Sequence, residues 1–172
     1  MIIRVLTISL LLTVIYSCNS VQEKIRLKSG PGKKEMADLN RYFVQKDRER
    51  IENYIERKNL KMTEAPSGFW YKIKYEGSGD CFADYDKVVL EYEVNLLDGT
   101  RCYSSDDLGP KEVIIGKSSI EAGLNQGLKM LRSGDEAIFI IPPFLAYGLS
   151  GDGKNIPSRA ILIYNITSAR MK

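Results

Sequence analysis

The sequence predicts an α+β fold, a twisted antiparallel β-sheet wrapped on one short helix, with a helical extension ahead of it. Three observations carry that reading. Val88, Leu90, Tyr92 and Val94 share one face of an alternating run while Glu91, Glu93 and Asn95 share the other, as in a half-buried strand. Several short β-prone runs follow one another between turn residues, with a single helical stripe among them. Ahead of Pro66 the apolar residues recur instead at three–four spacing.

Composition narrows the chemistry. A chain of 172 residues, 44% of them hydrophobic, can build one domain with a core and still carry an extension. The net charge of +3 is spread along the chain. No basic block or aromatic–basic stripe marks a nucleic-acid surface, so no nucleic-acid partner is expected. Histidine is absent, which removes the usual general base, the commonest metal ligand and every Ser–His or Cys–His dyad. Cys18, Cys81 and Cys102 lack zinc-type spacing, and neither a metal nor a cofactor is expected. Cys81 and Cys102 could pair in an oxidising compartment, or stay as two small, half-buried apolar side chains.

The N-terminus reads as an export signal over residues 1–17. Arg4 precedes an apolar run from Val5 to Tyr16, short of the roughly 20 residues of a membrane span. Val14-Ile15-Tyr16-Ser17-Cys18 resembles a bacterial lipobox. That resemblance implies diacylglycerol on the Cys18 thiol, cleavage before it and acylation of the new amino group. The chain is then a lipid-anchored protein of the cell envelope, facing the periplasm or the cell surface. The competing reading is a short core helix with an incidental cysteine.

Residues 18–34 are polar, with the breaker Gly30-Pro31-Gly32, and read as a flexible tether. Residues 35–65 form the helical extension. Met36, Leu39 and Phe43 keep helical spacing, Ile51, Tyr54 and Ile55 resume it, and Lys46-Asp47-Arg48-Glu49-Arg50 interrupts the stripe. One helix of about 36 Å or two shorter ones fit this pattern. The extension is either an arm for self-association or client gripping, or a helix lying on its own domain or spacing it from the membrane.

Residues 66–172 form the main domain. Strands are expected at Phe69–Tyr75, Val88–Asn95, Arg101–Ser104, Glu112–Ile115, Glu136–Ile141 and Ala160–Thr167. Glu76–Asp80 reads as a turn, Asp98-Gly99 as a hairpin turn, and Pro142–Ser158 as a long loop. The helix runs from Ser119 to Leu131, with Ser118 and Glu121 at capping-box spacing and Leu124, Leu128 and Leu131 as its apolar stripe. Gly123 and Gly127 are costly inside a helix and point to a closely approaching neighbour.

At this point the motifs resemble a family. Asp98-Gly99, Ser104-Ser105, Ile115-Gly116-Lys117, Gly123 with Gly127, Gly134, Ala146-Tyr147-Gly148 and Ile156-Pro157 before Ala160-Ile161-Leu162-Ile163-Tyr164 stand in the order and spacing of FKBP-type peptidyl-prolyl isomerases. The resemblance spans about Pro66 to Arg170. With the lipobox and the helical extension, the whole chain is similar to FKBP-like lipoproteins associated with gliding motility.

The resemblance implies a function and a site. An X–Pro amide resists rotation by roughly 20 kcal/mol because resonance keeps it planar. An apolar pocket that strips water from the amide favours the twisted state without nucleophile, metal or cofactor. By similarity the catalytic pocket takes Tyr92 as a wall, Tyr147 at the rim, Tyr164 at the base, Ile120 at the helix start and Ile156 from the long loop. Cys102, Tyr103, Leu124 and Phe139 are the further substrate-binding positions. The expected partners are proline-containing polypeptides, and the expected role is folding of exported proteins. Three positions depart from the family pattern: its Phe-Asp pair is Cys102-Tyr103, its helix tryptophan is Leu124, and an apolar residue beside Ile120 is Glu121. These departures leave open a second reading, a weakly catalytic chaperone, or a binding or adaptor lipoprotein of the envelope.

Overall fold

A computed structural model describes residues Gly32–Lys172. The expected signal peptide, the Cys18 lipidation site and most of the tether lie outside the described residues. The chain divides into two units, Met1–Arg41 and Tyr42–Lys172. In the described part of the first, the Gly32 N–H donates to Glu35 Oε2 at 3.0 Å, closing the first helical turn.

Helix α1, Lys33–Arg57, is a single helix. It starts two residues earlier than expected and runs straight through the charged centre. The charges there hold the helix instead of breaking it. Lys46 pairs with Glu49 at 2.8 Å and Arg48 with Glu52 at 2.9 Å, both at helical spacing. Among the described residues, no helix is long and apolar enough to cross a membrane.

The strands are β1 Thr63–Glu64, β2 Trp70–Tyr75, β3 Ser78–Cys81, β4 Lys87–Leu96, β5 Arg101–Ser104, β6 Lys111–Ile114, β7 Arg132–Ser133, β8 Glu136–Ile141 and β9 Leu162–Met171. Between them lie the one-turn helix α2, Ser105–Leu108, the helix α3, Ala122–Leu128, and a 3₁₀ turn at Pro143–Leu145. The main sheet has the order β1-β2-β8-β9-β4-β5, with β6 also on β4, and every pairing is antiparallel. Part of the expected turn at Glu76–Asp80 is strand instead: β3 pairs with β7 in a two-stranded sheet.

The alternation on β4 does what its pattern predicts. Val88, Leu90, Tyr92 and Val94 are all buried. They join Leu124, Leu128 and Leu131 from α3 and its exit, with Phe139 and Ile141 from β8, in one core. The intervening Ile140 of β8 faces a second cluster with Trp70, Ile161 and Ile51 of α1, joined by Tyr54 and Ile55. From Tyr42 onward the helix therefore packs on its own domain, which is why β8 is apolar on both faces.

Helix α3 is shorter than expected at both ends, and the capping box does not form. Ser118 Oγ instead accepts the Ile114 N–H at 2.8 Å, tying the preceding turn back to β6. The residue at the N-cap is Glu121, whose side chain makes no capping bond. The two glycines of α3 explain its close seat on the sheet. A methyl group at Gly123 would lie 2.5 Å from Ile141 Cγ2, and one at Gly127 would lie 3.0 Å from the Phe139 ring. Cys81 and Cys102 are free thiols, the first exposed and the second buried, so the pairing considered from the sequence is not made.

Candidate functional site

All nine site positions read from the main domain fall in one apolar cluster. Tyr92, Cys102, Leu124, Phe139, Ile156 and Tyr164 are buried in it, and Tyr103, Ile120 and Tyr147 pack against it from partly exposed positions. Sheet register brings the strand residues together. Tyr164 of β9 stands opposite Val94 of β4 on one side and Phe139 of β8 on the other. Tyr92 sits where the β4–β9 register shifts, between Glu91 and Tyr92. Ser105 Oγ accepts the Tyr92 N–H at 3.1 Å, so α2 anchors this irregular point. The Tyr92 and Tyr164 rings end 6.4 Å apart and 31° from parallel.

Not every position lines the cup in the same way. Phe139 and Leu124 are fully buried. Phe139 lies edge-on to Phe69 at 5.9 Å, backing the site from the core. Tyr147 follows the 3₁₀ turn on the loop, and Gly148 after it takes φ +60°, a conformation that favours glycine.

The electrostatic centre of the cup is Glu121. Its carboxylate is buried, and its Oε1 accepts the Tyr164 hydroxyl at 2.5 Å. Its Oε2 is buried with no hydrogen-bond donor. Burial, then the neighbouring Glu121 charge, pushes the Tyr164 phenol well above its ordinary range. Tyr147 is raised by burial and by its interaction with Glu121, and Tyr92 by burial and the same charge. The three phenols are therefore neutral donors at physiological pH.

A second carboxylate organises the loop. Tyr103 donates its hydroxyl to Asp152 Oδ2. Asp152 Oδ1 accepts the N–H groups of Ile156 at 2.8 Å and Lys154 at 2.9 Å. Desolvation works against the Asp152 charge. The hydrogen bonds from Tyr103, Lys154 and Ile156 outweigh it and hold the carboxyl below its ordinary value. Asn155 Nδ2 donates to the Cys102 carbonyl at 3.0 Å, and Cys102 Sγ lies 3.5 Å from the Asn155 carbonyl. Together these bonds clamp the loop carrying Ile156 onto β5.

Sequence reasoning missed Asp152 and Asn155, and it read Glu121 as a capping-box partner and a departure from the family pattern, not as a hydrogen-bond partner of Tyr164. Asp152-Gly153 in a long loop reads as turn chemistry, and nothing local connects it to Tyr103, 49 positions away. The Cys102-Tyr103 pair carries no carboxylate, yet the fold returns one to it from the loop. An open groove lined by Arg50, Arg57, Leu97, Asp98, Pro157 and Arg159 contains none of the nine site residues.

Comparison with known proteins places this geometry. The family model described as FKBP-type peptidyl-prolyl cis-trans isomerase matches residues 80–168. A probable FKBP-type peptidyl-prolyl cis-trans isomerase, FkpA, of Neisseria meningitidis is 36% identical over 100 residues, 58% of this chain and 36% of that protein. The bovine peptidyl-prolyl cis-trans isomerase FKBP10 is 38% identical over 82 residues, 47% of this chain and 14% of its own length. The chain thus spans well under half the length of these curated relatives. Among solved structures, the N-terminal domain of FKBP42 from Arabidopsis thaliana superposes with a TM-score of 0.60 at 25% identity, covering 65% of this chain and 92% of that one. FkpA from Escherichia coli superposes with a TM-score of 0.62 at 23% identity, covering 91% of this chain and 81% of that one, a likeness of fold.

Proposed function

Since the chain belongs to the family of FKBP-type peptidyl-prolyl cis-trans isomerases, we propose that it catalyses cis–trans isomerisation of X–Pro bonds in exported polypeptides. The observation that carries this reading is the convergence of Tyr92, Tyr147, Tyr164, Ile120 and Ile156 in one apolar cluster. Such a cup holds the proline ring and takes water from the amide, weakening the resonance that keeps it planar. The Tyr164 hydroxyl is given to Glu121, so the apolar walls carry the effect: a site that takes up the twisted amide better than the planar one lowers the barrier. No nucleophile takes part.

The proposed position of the protein in the cell rests on its first residues. Export, lipidation of Cys18 and anchoring to an envelope membrane are supported by the signal-like run and the lipobox resemblance. A place among gliding-motility-associated lipoproteins rests on the same architecture. Processing tests the anchor: wild-type protein fractionates with membranes, and Cys18→Ala is released or left unprocessed. Full-length wild-type chain in the cytosol rejects it. Self-association through faces of α1 that do not pack on the domain is tested by sedimentation of the purified protein.

The isomerase reading is tested with the full chain in detergent, by following relaxation of a series of proline peptides. Catalysis above buffer is expected, reduced about tenfold by Tyr147→Ala through loss of an apolar wall. Tyr164→Ala should also lower it. Relaxation equal to buffer for every peptide rejects the enzyme. One observation favours the second reading, a binder with little catalysis: the buried carboxyl group of Glu121 bonds the Tyr164 hydroxyl at the base of the aromatic cup.

A further inference from the structure

Glu121 is unusual in four respects that bear on one another. It is only 5% exposed. It stands at the N-cap of α3 without capping the helix, its side chain turned to Tyr164. Its charge is felt by three of the four site tyrosines, Tyr92, Tyr164 and Tyr147, which belong to β4, β9 and the long loop. Its Oε2 is buried with no donor, and among the described residues Glu121 forms no ion pair. Lys111 sits over the Tyr92 ring, 5.8 Å from its centroid.

A carboxylate taken out of water is costly unless hydrogen-bonded and paired. Here one oxygen accepts from the Tyr164 hydroxyl, and the other, with the Tyr147 phenol beside it, has no hydrogen bond of normal geometry. The deficit lies beside Tyr147, a wall residue carried on the long loop. A ligand that enters by displacing that phenol meets an acceptor with an empty valence. A cationic side chain arriving there removes the desolvation deficit. A carboxylate arriving there adds a like charge in a poorly solvated site.

We infer that Glu121 determines which residues beside the proline this site accepts, favouring segments with Lys or Arg next to the proline and rejecting those with Asp or Glu. This rests on the reading of the cup as a proline site. Glu121 acts as a specificity residue, and its role is separate from the twisting of the amide.

The test uses the full chain in detergent and peptides that differ only at the residue before proline: Lys, Arg, Leu or Glu. Both binding and kcat/KM are measured, at low and at high salt. Wild-type protein should favour Lys and Arg over Glu at least about tenfold, the effect of one charge-assisted hydrogen bond. The preference should survive added salt, because a direct contact inside the cup is screened less than long-range steering. Glu121→Gln should reduce the ratio to about twofold or less. Equal binding and turnover of the Lys and Glu peptides by wild type overturns the inference, as does a ratio unchanged in a folded Glu121→Gln variant. If no peptide is turned over but binding follows charge, the isomerase reading fails and this one stands. If no peptide binds, both fail.

Discussion

Asp47 of α1 and Arg159 of the long loop are joined by a 2.8 Å hydrogen-bonded ion pair. The carboxylate is buried, and the guanidinium lies 3.7 Å from the centroid of the Phe43 ring on the same helix. The charged centre of α1 is thus part of its contact with the domain. It fastens the helix to the loop segment that follows Ile156.

Removing one partner of that pair should therefore loosen the extension. Arg159→Met leaves Asp47 buried beside Arg50 alone, a contact of 3.5 Å. A loss of about 2 kcal/mol is expected, as for a hydrogen bond to a charged group. Denaturant unfolding measures it. The double variant with Asp47→Asn should recover part of the loss, since the stranded charge is then gone.

The Tyr103–Asp152 clamp carries a pH signature. Asp152 has its carboxyl pKa lowered in the folded chain from an ordinary value of 3.8. Its contribution is present above that value and is lost as pH falls through the lower, folded one. Proteolysis of the loop around Gly151–Lys154 should accelerate over that acidic window. Asp152→Asn should be nicked faster at neutral pH and show less change with acid. Equal rates for both proteins at all pH values would refute the clamp.

The aromatic cup predicts a loss of stability in alkali. The phenols of Tyr92, Tyr147 and Tyr164 and the Cys102 thiol are raised above their ordinary values of 10.0 and 9.0, with burial the first cause of each. Groups raised on folding contribute stability that is complete below the unfolded pKa and is lost as pH rises through the folded one. The melting temperature should therefore fall from about pH 9 upward. Tyrosinate absorbance should show these phenols ionising late, with unfolding. Tyr164→Phe should also cost about 2 kcal/mol at neutral pH, because it strips Glu121 Oε1 of its donor.

Gly123→Ala sets packing against helix propensity. Propensity alone favours alanine by about 1 kcal/mol. The added methyl would lie 2.5 Å from Ile141 Cγ2 and 3.3 Å from the Leu145 carbonyl oxygen. Overpacking should win, with net destabilisation of about 2 kcal/mol by urea denaturation. A neutral or stabilised variant would mean that α3 sits less tightly on β8.

Much of this molecule was legible because its periods are strong. The inward set on β4 and the stripe Leu124–Leu128–Leu131 are read from alternation and helical spacing, and both are buried as read. The Asp98-Gly99 turn follows from backbone chemistry, with Gly99 at φ +93° and Asp98 Oδ1 accepting the Thr100 N–H at 2.9 Å. The start of α3 was misread because Ser118 and Glu121 have partners outside the helix: Ile114 for one and Tyr164 for the other. A capping box is a local inference, and long-range bonds overrode it. The continuity of α1 through its charged centre was likewise left open, since the burial of Asp47 depends on Arg159, 112 positions away.

The sequence by itself determined the inward faces of β4 and α3 and the Asp98-Gly99 turn. Each of these depends on neighbours within a turn or two of chain, and local sterics and hydrophobic periodicity suffice to specify them. Only the tertiary structure decided where the charges stand. It put Glu121 at the centre of the cup and gave Asp152 to Tyr103. A buried charge is governed by whichever donors the fold brings within about 3 Å, and those donors come from strands and loops far apart in the chain.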